Sequence, residues 1–199
     1  MSLDIVNEGI NNLISYSAQD DSQLKGTIKV RGSGNHLAIG PGAKAANLRI
    51  TLGSDCKVLI GSNCNLGSLF IHGAKNAHIS IGDRSAFNGQ VRLLLHEARR
   101  IEIGGGCLFA SGTDISVSDM HSIIDIASGE RVNPAQNVII EERVWVAERV
   151  IILKGSYIEA GSIIGAGSIV SGRIAPNSLA VGIPAKVTRS GVTWKHKLL

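Results

Sequence analysis

One histidine stands where the sequence could carry acid–base chemistry. His121 lies near the start of a polar segment, residues 119–137, which contains Gly129 and Pro134 and separates two regular stretches of sequence. An imidazole with an ordinary pKa of about 6.5 can take the proton from a hydroxyl near neutral pH. Asp119 lies two residues away and could orient the ring, although a backbone carbonyl would serve as well. Residue type and position alone leave two interpretations open, a general base or a solvated loop histidine.

The other reactive residue types form no comparable arrangement. The three cysteines occur in no CxxC spacing, and the sequence contains no G-x-S-x-G, GxGxxG or GK-type phosphate loop. His36 and His78 occupy the same repeat position as Lys57 and Arg100. A column that mixes histidine with Lys and Arg repels cations, so we expect a solvated outer face there and no metal site.

The positive charge of the chain is concentrated at its C-terminal end. The formal net charge is +4, and residues 173–199 hold five Lys and Arg residues with no Asp or Glu. Such a segment either increases solubility or binds a polyanion, whose phosphates Lys and Arg would neutralise. Nucleic acid is the weaker candidate, because aromatic residues make up only 4% of the chain and stacking platforms need them.

Composition predicts a single domain built from a repeat. The chain has 199 residues, of which 44% are hydrophobic, with 24 glycines against 4 prolines. That apolar content suffices for a core. The apolar runs are too short for a membrane-spanning helix, and the cysteine usage is that of a cytosolic protein. Many glycines and few aromatic rings favour a repeat architecture over a sandwich or a helical bundle.

The repeat is strictest after residue 140. Inward aliphatic residues recur every six positions at Ile140, Val146, Ile152, Ile158, Ile164 and Val170. This period fits a short strand followed by a turn, and three such units would make one triangular coil of 18 residues. Stacking then places Ile140 on Ile158, Val146 on Ile164 and Ile152 on Val170. Each buried aliphatic side chain contributes roughly 1.5–3 kcal/mol, which such short units gain only by stacking.

The first half has a coarser version of the same pattern. An "apolar, any, Ile, Gly" motif recurs at 37–40, 58–61, 79–82 and 101–104, at spacings of 21, 21 and 22 residues. The residue four places after each Ile is small in every case: Ala43, Cys64, Ser85 and Cys107. These positions are predicted to point inward, so the two cysteines are interpreted as core residues rather than nucleophiles.

Three segments depart from the repeat and define the predicted domain organisation. Residues 1–25 are predicted to form a helical cap, because five apolar residues share one helical face: Leu3, Val6, Ile10, Leu13 and Ile14. Residues 26–175 form the repeat, with 119–137 as an inserted, protruding loop where function is expected. Residues 176–199, after Pro176 and around Pro184, are predicted to be an irregular basic tail with a helical turn.

Two apolar strips are expected on the outside of the coils. Trp145 precedes the inward Val146, so strand alternation points it outward, and its neighbour one coil further on is Ile163. Ile151 and Ile169 form a second outward pair. Exposed apolar surface of this kind is normally covered by a ligand or a neighbouring subunit.

Most of the sequence resembles a known family. The run "VIIEERVWVAERVIILKGSYIEAGSIIGAGSIVSGRIAPNSLAVGIPAKVTR" is similar to the hexapeptide-repeat acyltransferases, and the likeness covers about residues 28–190. A narrower likeness, to bacterial capsule and polysialic acid O-acetyltransferases, is carried by "SDMHSIIDIASGERVNP", "VWV", "VTW" and "GINN". The resemblance implies an all-β fold, a left-handed parallel β-helix. It also implies an acetyl-CoA-dependent transfer to a sugar hydroxyl of a surface polysaccharide, in a cytoplasmic bacterial homotrimer with active sites between subunits.

The resemblance also implies roles for individual residues. His121 matches the general base and Trp145 a residue that lines the acetyl site. Acetyl-CoA is expected to contact the backbone near Ala147 and Glu148 as an oxyanion donor, then Ala166, and at its phosphates Arg173, Lys186 and Arg189. Asn88 and Asp119 are the candidates for acceptor binding. Many relatives have Gly where Ala147 stands and Lys where Gly172 stands.

Two alternatives remain open from the sequence. One is a non-catalytic trimeric β-helix that acts as a scaffold or binding module. The other is acyl transfer to an amino sugar or an antibiotic, which differs only in the acceptor. With no nucleophile elbow and with the cysteines assigned to the core, direct transfer with a histidine base is favoured over an acyl-enzyme.

Overall fold

The chain folds into three parallel β-sheets wound as one β-helix. The computed structural model describes residues 2–17 and 23–198, and within these ranges it contains β-strands and no helix. Each turn of the backbone adds one strand to sheets 1 and 2, and from residue 86 onward also to sheet 3. This confirms the all-β, parallel β-helix fold predicted from the sequence.

The strands of each sheet follow one another along the solenoid. Sheet 1 contains β1 (Leu3–Asn7), β3 (Leu24–Val30), β5 (Ala45–Leu52), β7 (Ser68–Gly73), β10 (Gln90–Leu95), β13 (Thr113–Ser116), β16 (Ile151–Ile152) and β19 (Ile169–Val170). Sheet 2 contains β2 (Leu13–Ser15), β4 (His36–Ile39), β6 (Lys57–Ile60), β8 (His78–Ile81), β11 (Arg100–Ile103), β14 (Val138–Ile140), β17 (Tyr157–Ile158) and β20 (Arg173–Ile174). Sheet 3 contains β9 (Ala86–Phe87), β12 (Leu108–Phe109), β15 (Trp145–Val146), β18 (Ile163–Ile164), β21 (Ser178–Gly182) and β22 (Ala185–Ser190).

The observed register confirms the predicted stacking. The three predicted pairs are direct strand partners: Ile140 with Ile158, Val146 with Ile164 and Ile152 with Val170. These six inward side chains are at most 1% exposed. Three apolar columns, one from each sheet, therefore line the interior of the triangle, and their burial holds successive coils together.

The first half follows the same rule with longer coils. Leu37, Val58, Ile79 and Ile101 are successive partners in sheet 2. The four small residues predicted to face inward are all buried: Ala43, Cys64, Ser85 and Cys107. Burial raises the pKa of the Cys107 thiol to about 11, so this cysteine is a protonated core residue rather than a nucleophile.

The corners explain much of the glycine content. At the corner between sheets 2 and 3, successive coils turn through one left-handed residue, among them Gly106 (φ 66°), Arg143 (φ 55°) and Gly161 (φ 71°). Glycine adopts this conformation without steric cost. At Gly161 a Cβ would also lie 2.5 Å from the Asn177 side-chain oxygen of the next coil. A repeat with left-handed turns at its corners favours many glycines, although Arg143 adopts the same conformation.

The predicted N-terminal helix is wrong. Residues 3–7 and 13–15 form β1 and β2, which pair in parallel with β3 and β4 and make the first coil. Ile10 is 71% exposed, so the supposed apolar helix face is not buried as one face. Leu3 and Ile5 alternate toward the core instead, and Asn12 holds the intervening turn through bonds to Asn7 and Gly32. The parallel ladder satisfies the backbone that a helix would otherwise satisfy internally.

The predicted irregular tail is also wrong in its first half. β21 continues sheet 3 as a parallel partner of β18, and β22 turns back antiparallel along β21. Ser178 and Ala180 are buried because they continue the inward column. Pro184 lies in the turn of this hairpin after a cis bond, so it does not end the strand structure. Residues 191–198 then contain no strand.

The segment 119–137 leaves the coil between β13 and β14, and residues 119–132 are exposed. The division into 1–25, 26–175 and 176–199 stays a prediction, and residues 1, 18–22 and 199 lie outside the described ranges. Within those ranges, no helix has the length and hydropathy that crossing a bilayer requires.

Candidate active site

The loop that carries His121 begins and ends at the corner between sheets 1 and 2. It follows β13 in sheet 1 and leads into β14 in sheet 2. Glu97 lies at the same corner of the preceding coil, and Lys154 lies there in the following coil. The loop is therefore held between two corners. Arg131 donates to both carboxylate oxygens of Glu97 at 2.7 and 2.8 Å.

Asn133 fixes the backbone around His121. It is 7% exposed, and its side-chain Nδ2 donates to the His121 carbonyl (2.9 Å) and to Asp119 Oδ2 (2.7 Å). Its Oδ1 accepts from the Ile123 amide at 2.7 Å. One buried amide thus spans the segment from 119 to 123. Buried hydrogen bonds of this kind are costly to break because their partners are left unsatisfied.

Met120, which immediately precedes His121, has a left-handed backbone. Its φ is 63°, and its amide donates to the Ser118 hydroxyl at 3.0 Å. A non-glycine residue in this region is uncommon and needs support from its surroundings. Ser118 and Asn133 supply that support, so the direction in which the chain presents His121 is set by two side-chain contacts.

The Asp119 carboxylate anchors the loop through hydrogen bonds. It accepts from Lys154 Nζ (2.5 Å) as well as from Asn133, and these bonds hold the pKa of Asp119 below its usual range. Asn133 thus links the Asp119 carboxylate to the backbone carbonyl of His121 and not to its imidazole. Among the described residues no side chain hydrogen-bonds the His121 imidazole, which is exposed at the start of the protruding segment.

Glu97 forms the second anchor. The bonds from Arg131 and from the Ser118 hydroxyl lower its pKa to about 2. Both anchoring carboxylates are therefore ionised at neutral pH. Sequence reasoning missed Glu97, Asn133 and Lys154, although the repeat register carries a signal for two of them, since it places residues 97 and 154 at one corner of neighbouring coils.

Trp145 lies on the outer face of sheet 3, as predicted. It is 36% exposed and has Ile163 as its strand partner in the next coil. The tail returns over this face, so that the Trp194 ring lies 6.2 Å from the Trp145 ring. Trp194 is 8% exposed, and its Nε1 donates to the Arg143 carbonyl at 2.6 Å. From the sequence, no role is predicted for Trp194 beyond its place in the "VTW" motif.

A cavity of about 520 Å³ lies where the tail meets the corner between sheets 2 and 3. It is lined by the backbone of Gly105 and Gly106 and by charged and aromatic side chains, among them Arg84, Arg143, Trp194 and His196. The His196 ring meets Trp194 edge-on at 4.8 Å. The C-terminal segment thus forms part of the wall of this cavity.

The two predicted oxyanion donors differ in availability. The Ala147 amide donates to the Ile164 carbonyl at 2.9 Å, as part of the ladder between coils. The Glu148 amide has no protein acceptor among the described residues, while its carbonyl accepts from Gly167. Ala166 is exposed next to Gly167 at the same corner, between sheets 3 and 1. Ala147 is therefore structural in this fold, and Glu148 retains the free N–H.

Asn88 lies at this corner two coils earlier. It directly follows Phe87, and Phe87, Phe109 and Val146 are successive strand partners. Its amide donates to the Phe109 carbonyl, while its side chain is exposed. The structure therefore aligns Asn88 with Ala147 along the solenoid but does not place the two in one coil.

The predicted phosphate-binding residues do not form one cluster. Arg173 lies in sheet 2, where it donates to Glu159 (2.7 Å) and covers the Tyr157 ring. Lys186 and Arg189 lie on β22 at the edge of sheet 3, and both are exposed. Among the described residues neither of these two has an ion-pair partner. Lys186 and Arg189 are thus free cations on β22, and Lys195 and Lys197, further along the tail, are also exposed.

His121 and Trp145 lie on different parts of the triangle. His121 belongs to the corner between sheets 1 and 2, and Trp145 belongs to sheet 3, the opposite wall. Within one chain the fold does not bring the two side chains together. Among the described residues no group of three or more His, Cys, Asp or Glu side chains could hold a metal ion.

The comparisons confirm the resemblance seen in the sequence, because the chain is similar to polysialic acid O-acetyltransferases both in sequence and in fold. The chain is 29% identical over 139 residues to a polysialic acid O-acetyltransferase of Neisseria meningitidis, covering 69% of this chain and 63% of that protein's length. The crystal structure of the polysialic acid O-acetyltransferase OatWY matches 98% of this chain and 92% of its own, at 27% identity with a TM-score of 0.87.

A second solved structure has a similar fold. The polySia-specific acetyltransferase NeuO matches 98% of this chain and 83% of its own, at 27% identity with a TM-score of 0.91. A hexapeptide-repeat acetyltransferase of Vibrio cholerae, at 24% identity and a TM-score of 0.51 over 76% of this chain and 72% of its own, shares the fold. No protein-family model matches the chain.

Proposed function

We propose that this chain is an acetyl-CoA-dependent O-acetyltransferase that acetylates a hydroxyl of polysialic acid or a similar acidic surface polysaccharide. It would act in the bacterial cytoplasm as a homotrimer. The observation that carries the proposal is the agreement over 98% of the chain with two acetyltransferases named for polysialic acid. The anchors of the His121 loop, Asn133, Glu97 and Asp119, support it, because they fix the backbone of an otherwise exposed segment.

The proposed reaction is a direct transfer. The His121 imidazole takes the proton from the sugar hydroxyl as its oxygen attacks the thioester carbonyl carbon. The carbon–sulfur bond of the tetrahedral intermediate then breaks, and the coenzyme A thiolate receives the proton from the imidazolium. The products are the acetyl ester and free coenzyme A. The Glu148 N–H is the donor we assign to the oxyanion, since the Ala147 N–H is used within the fold.

The residues present fit acetyl-CoA chemically. The exposed face of Trp145 and its partner Ile163 give an apolar wall for the acyl end. Ala166 offers small, exposed backbone past which a pantetheine arm can run. The unpaired cations of β22, Lys186 and Arg189, suit the nucleotide phosphates. Arg173 fits this role less well, because Glu159 neutralises it.

The separation of the two key side chains supports an assembly of subunits, which we propose to be a trimer. A site that uses both His121 and Trp145 needs the loop of one subunit beside sheet 3 of another, because one chain holds them on opposite parts of the triangle. The outward apolar pairs Trp145–Ile163 and Ile151–Ile169 are the surfaces available for such a contact.

The deciding experiment is a coenzyme A release assay with acetyl-CoA and a panel of acceptors: polysialic acid, neutral hexose polymers and amino sugars. We expect turnover with polysialic acid, and a loss of about 10²–10⁴-fold for His121→Ala with unchanged acetyl-CoA binding. His78→Ala, in an exposed histidine of sheet 2, is the matched control and should retain full turnover.

Three results would overturn parts of the proposal. No thioester cleavage with any acceptor would favour the non-catalytic scaffold. Selective turnover of amino sugars would replace O-acetylation by N-acetylation. Full activity of His121→Ala would end the assignment of the base.

A further inference from the structure

The outer face of sheet 1 carries a ladder of large side chains in its first half. Thr27, Arg49, Phe70, Arg92 and Asp114 are successive strand partners, so their outward side chains form one column. Neighbouring strands are about 4.8 Å apart. Arg49 and Arg92 therefore lie on either side of Phe70, about 10 Å from each other along the solenoid.

The two arginines differ in their partners. Arg92 binds Asp114 of the next coil through both carboxylate oxygens. Arg49 is exposed, and among the described residues it has no ion-pair partner. Lys29, on the same sheet, is paired with Glu8, whereas Lys25 is unpaired in the described part of the chain. The face thus presents a free guanidinium beside an aromatic ring.

A groove follows this column. A cavity of about 450 Å³ is lined by Asn47, Arg49, Ser68, Phe70, Gln90 and Arg92. Asn47 also lines a second cavity, which continues toward the first coil past Lys25, Thr27 and Asp4. The two cavities thus meet at Asn47. Side-chain amides, hydroxyls, an aromatic ring and cations line them, with one carboxylate, that of Asp4, at the end near the first coil.

This set of groups suits an acidic carbohydrate. The face of Phe70 can pack against the apolar face of a sugar ring. Asn47, Ser68 and Gln90 can exchange hydrogen bonds with hydroxyl and amide groups, since each offers a donor and an acceptor. Arg49 can bind a carboxylate in a bidentate manner. A neutral glucan would leave the free guanidinium of Arg49 without a partner, whereas a polymer with one carboxylate per residue would use it.

The groove also leads to the proposed catalytic loop. β13 is the next strand above β10 in sheet 1, and the chain passes from its last residue, Ser116, through Ser118 to His121. Above Asp114 the column becomes apolar, with Ile151 and Ile169. The polar track therefore ends at the coil from which the His121 loop departs.

We propose that this groove on sheet 1 binds an extended stretch of an acidic polysaccharide acceptor. A sugar unit near one end of that stretch then reaches His121. The inference rests on the proposed O-acetyltransferase function and assigns the acceptor surface of that same site. It makes Arg49 and Phe70 determinants of polymer affinity and gives them no part in the chemical step.

The test measures binding and turnover separately. Binding of long polysialic acid to the His121→Ala protein is measured by titration calorimetry, in that background and with Arg49→Ala or Phe70→Leu added. We expect each added substitution to weaken binding about tenfold, which is the effect of one charge-assisted or stacking contact. Lys57→Ala removes an equally exposed cation from sheet 2 and is the control, expected to bind as the parent does.

Turnover measurements then show whether the substitutions affect polymer binding or the chemical step. In the otherwise native protein, Arg49→Ala should raise KM for long polysialic acid and leave KM for a short sialic acid oligomer and for acetyl-CoA unchanged. Equal polymer binding by the Arg49→Ala, Phe70→Leu and Lys57→Ala proteins would overturn the groove. Polymer binding that depends on Arg49, without acetyl transfer, would instead overturn the proposed function and leave the groove standing.

Discussion

The lower coils, residues 24–116, and the upper coils, residues 138–174, meet the same internal requirement with different exteriors. In sheets 1 and 2 the lower strands are 4 to 8 residues long, whereas the upper strands have 2 or 3. Both regions bury inward columns of aliphatic side chains. Outside, the lower coils carry Arg49, Phe70 and Arg92, and the upper coils carry Ile151 and Ile169.

The difference shows how a β-helix separates stability from function. Inward residues must fill a fixed cross-section, so few residue types are allowed at these positions. Outward residues only need to suit a strand, and they can specialise by height along the solenoid. The His121 loop lies at the boundary between the two regions, which is where a polar acceptor surface and an apolar cofactor or subunit surface would meet.

The largest effect should come from the interior and should be the same in both regions. Ile50 lies between Ile28 and Ile71, and Ile152 lies between Ile115 and Val170, all in sheet 1 and all fully buried. We expect Ile50→Ala and Ile152→Ala each to lower the free energy of unfolding by about 2–5 kcal/mol. Urea denaturation followed by circular dichroism measures both. A loss confined to one variant would show that the two regions do not share one cooperative core.

The next largest effect should be on turnover and should come from the His121 loop, with little change in the stability of either region. Asn133→Ala removes the bonds to Asp119, His121 and Ile123, so we expect turnover to fall by about 10–100-fold, as for other groups that orient a catalytic residue. Thermal unfolding of the solenoid should change little. The control is Glu130→Gln, an exposed position of the same loop. Equal turnover of the two variants would remove Asn133 from the positioning of His121.

Acid should release the loop before it affects the coils. The pKa of Glu97 is lowered to about 2 by Arg131 and Ser118, and that of Asp119 is lowered by Lys154 and Asn133. A carboxylate with a depressed folded-state pKa stabilises the anchored form above its unfolded pKa and loses that contribution as the pH falls. The anchoring should therefore weaken between about pH 4.5 and pH 2.

Hydrogen exchange of residues 119–137, corrected for the intrinsic rate, measures this release. Glu97→Gln should show faster exchange in the loop already at neutral pH, with exchange in β5 and β16 unchanged. Protection of the loop that does not depend on pH would contradict the assignment of these carboxylates as its anchors.

The smallest effect compares two arginines near the C-terminal end. Arg173 is occupied by Glu159, whereas Arg189 on β22 is unpaired in the described part of the chain. We expect Arg189→Ala to weaken acetyl-CoA binding about tenfold and Arg173→Ala by less than about twofold. Titration calorimetry with acetyl-CoA distinguishes the two. The reverse order would restore Arg173 as the phosphate ligand that sequence matching indicated.

The interior could be predicted from the sequence almost completely, because the period of inward residues directly gives the stacking of Ile140 on Ile158. The first coil could not, since the apolar residues from Leu3 to Ile14 fit a helical face and a strand almost equally well. The N-terminal segment forms a strand because it pairs with β3, which is distant in sequence.

The candidate site was predictable where one motif carries it and not where contacts cross coils. His121 and Trp145 stand in recognisable motifs. Glu97, Asn133 and Lys154 meet only because successive corners stack, and the free N–H of Glu148 depends on which amide the ladder uses. In the proposed trimer, His121 would approach Trp145 of a neighbouring subunit, and the fold of one chain does not contain that arrangement.

The hairpin made by β21 and β22 has a consequence for the edge of sheet 3. A stack of parallel strands presents unpaired N–H and C=O groups at its last rung, to which a further strand from another molecule can add. In sheet 3 that rung is occupied by β22, which runs in the opposite direction and carries Lys186 and Arg189. A reversed, cationic last strand offers no template for another parallel coil, so the solenoid is protected there from end-to-end growth into fibres.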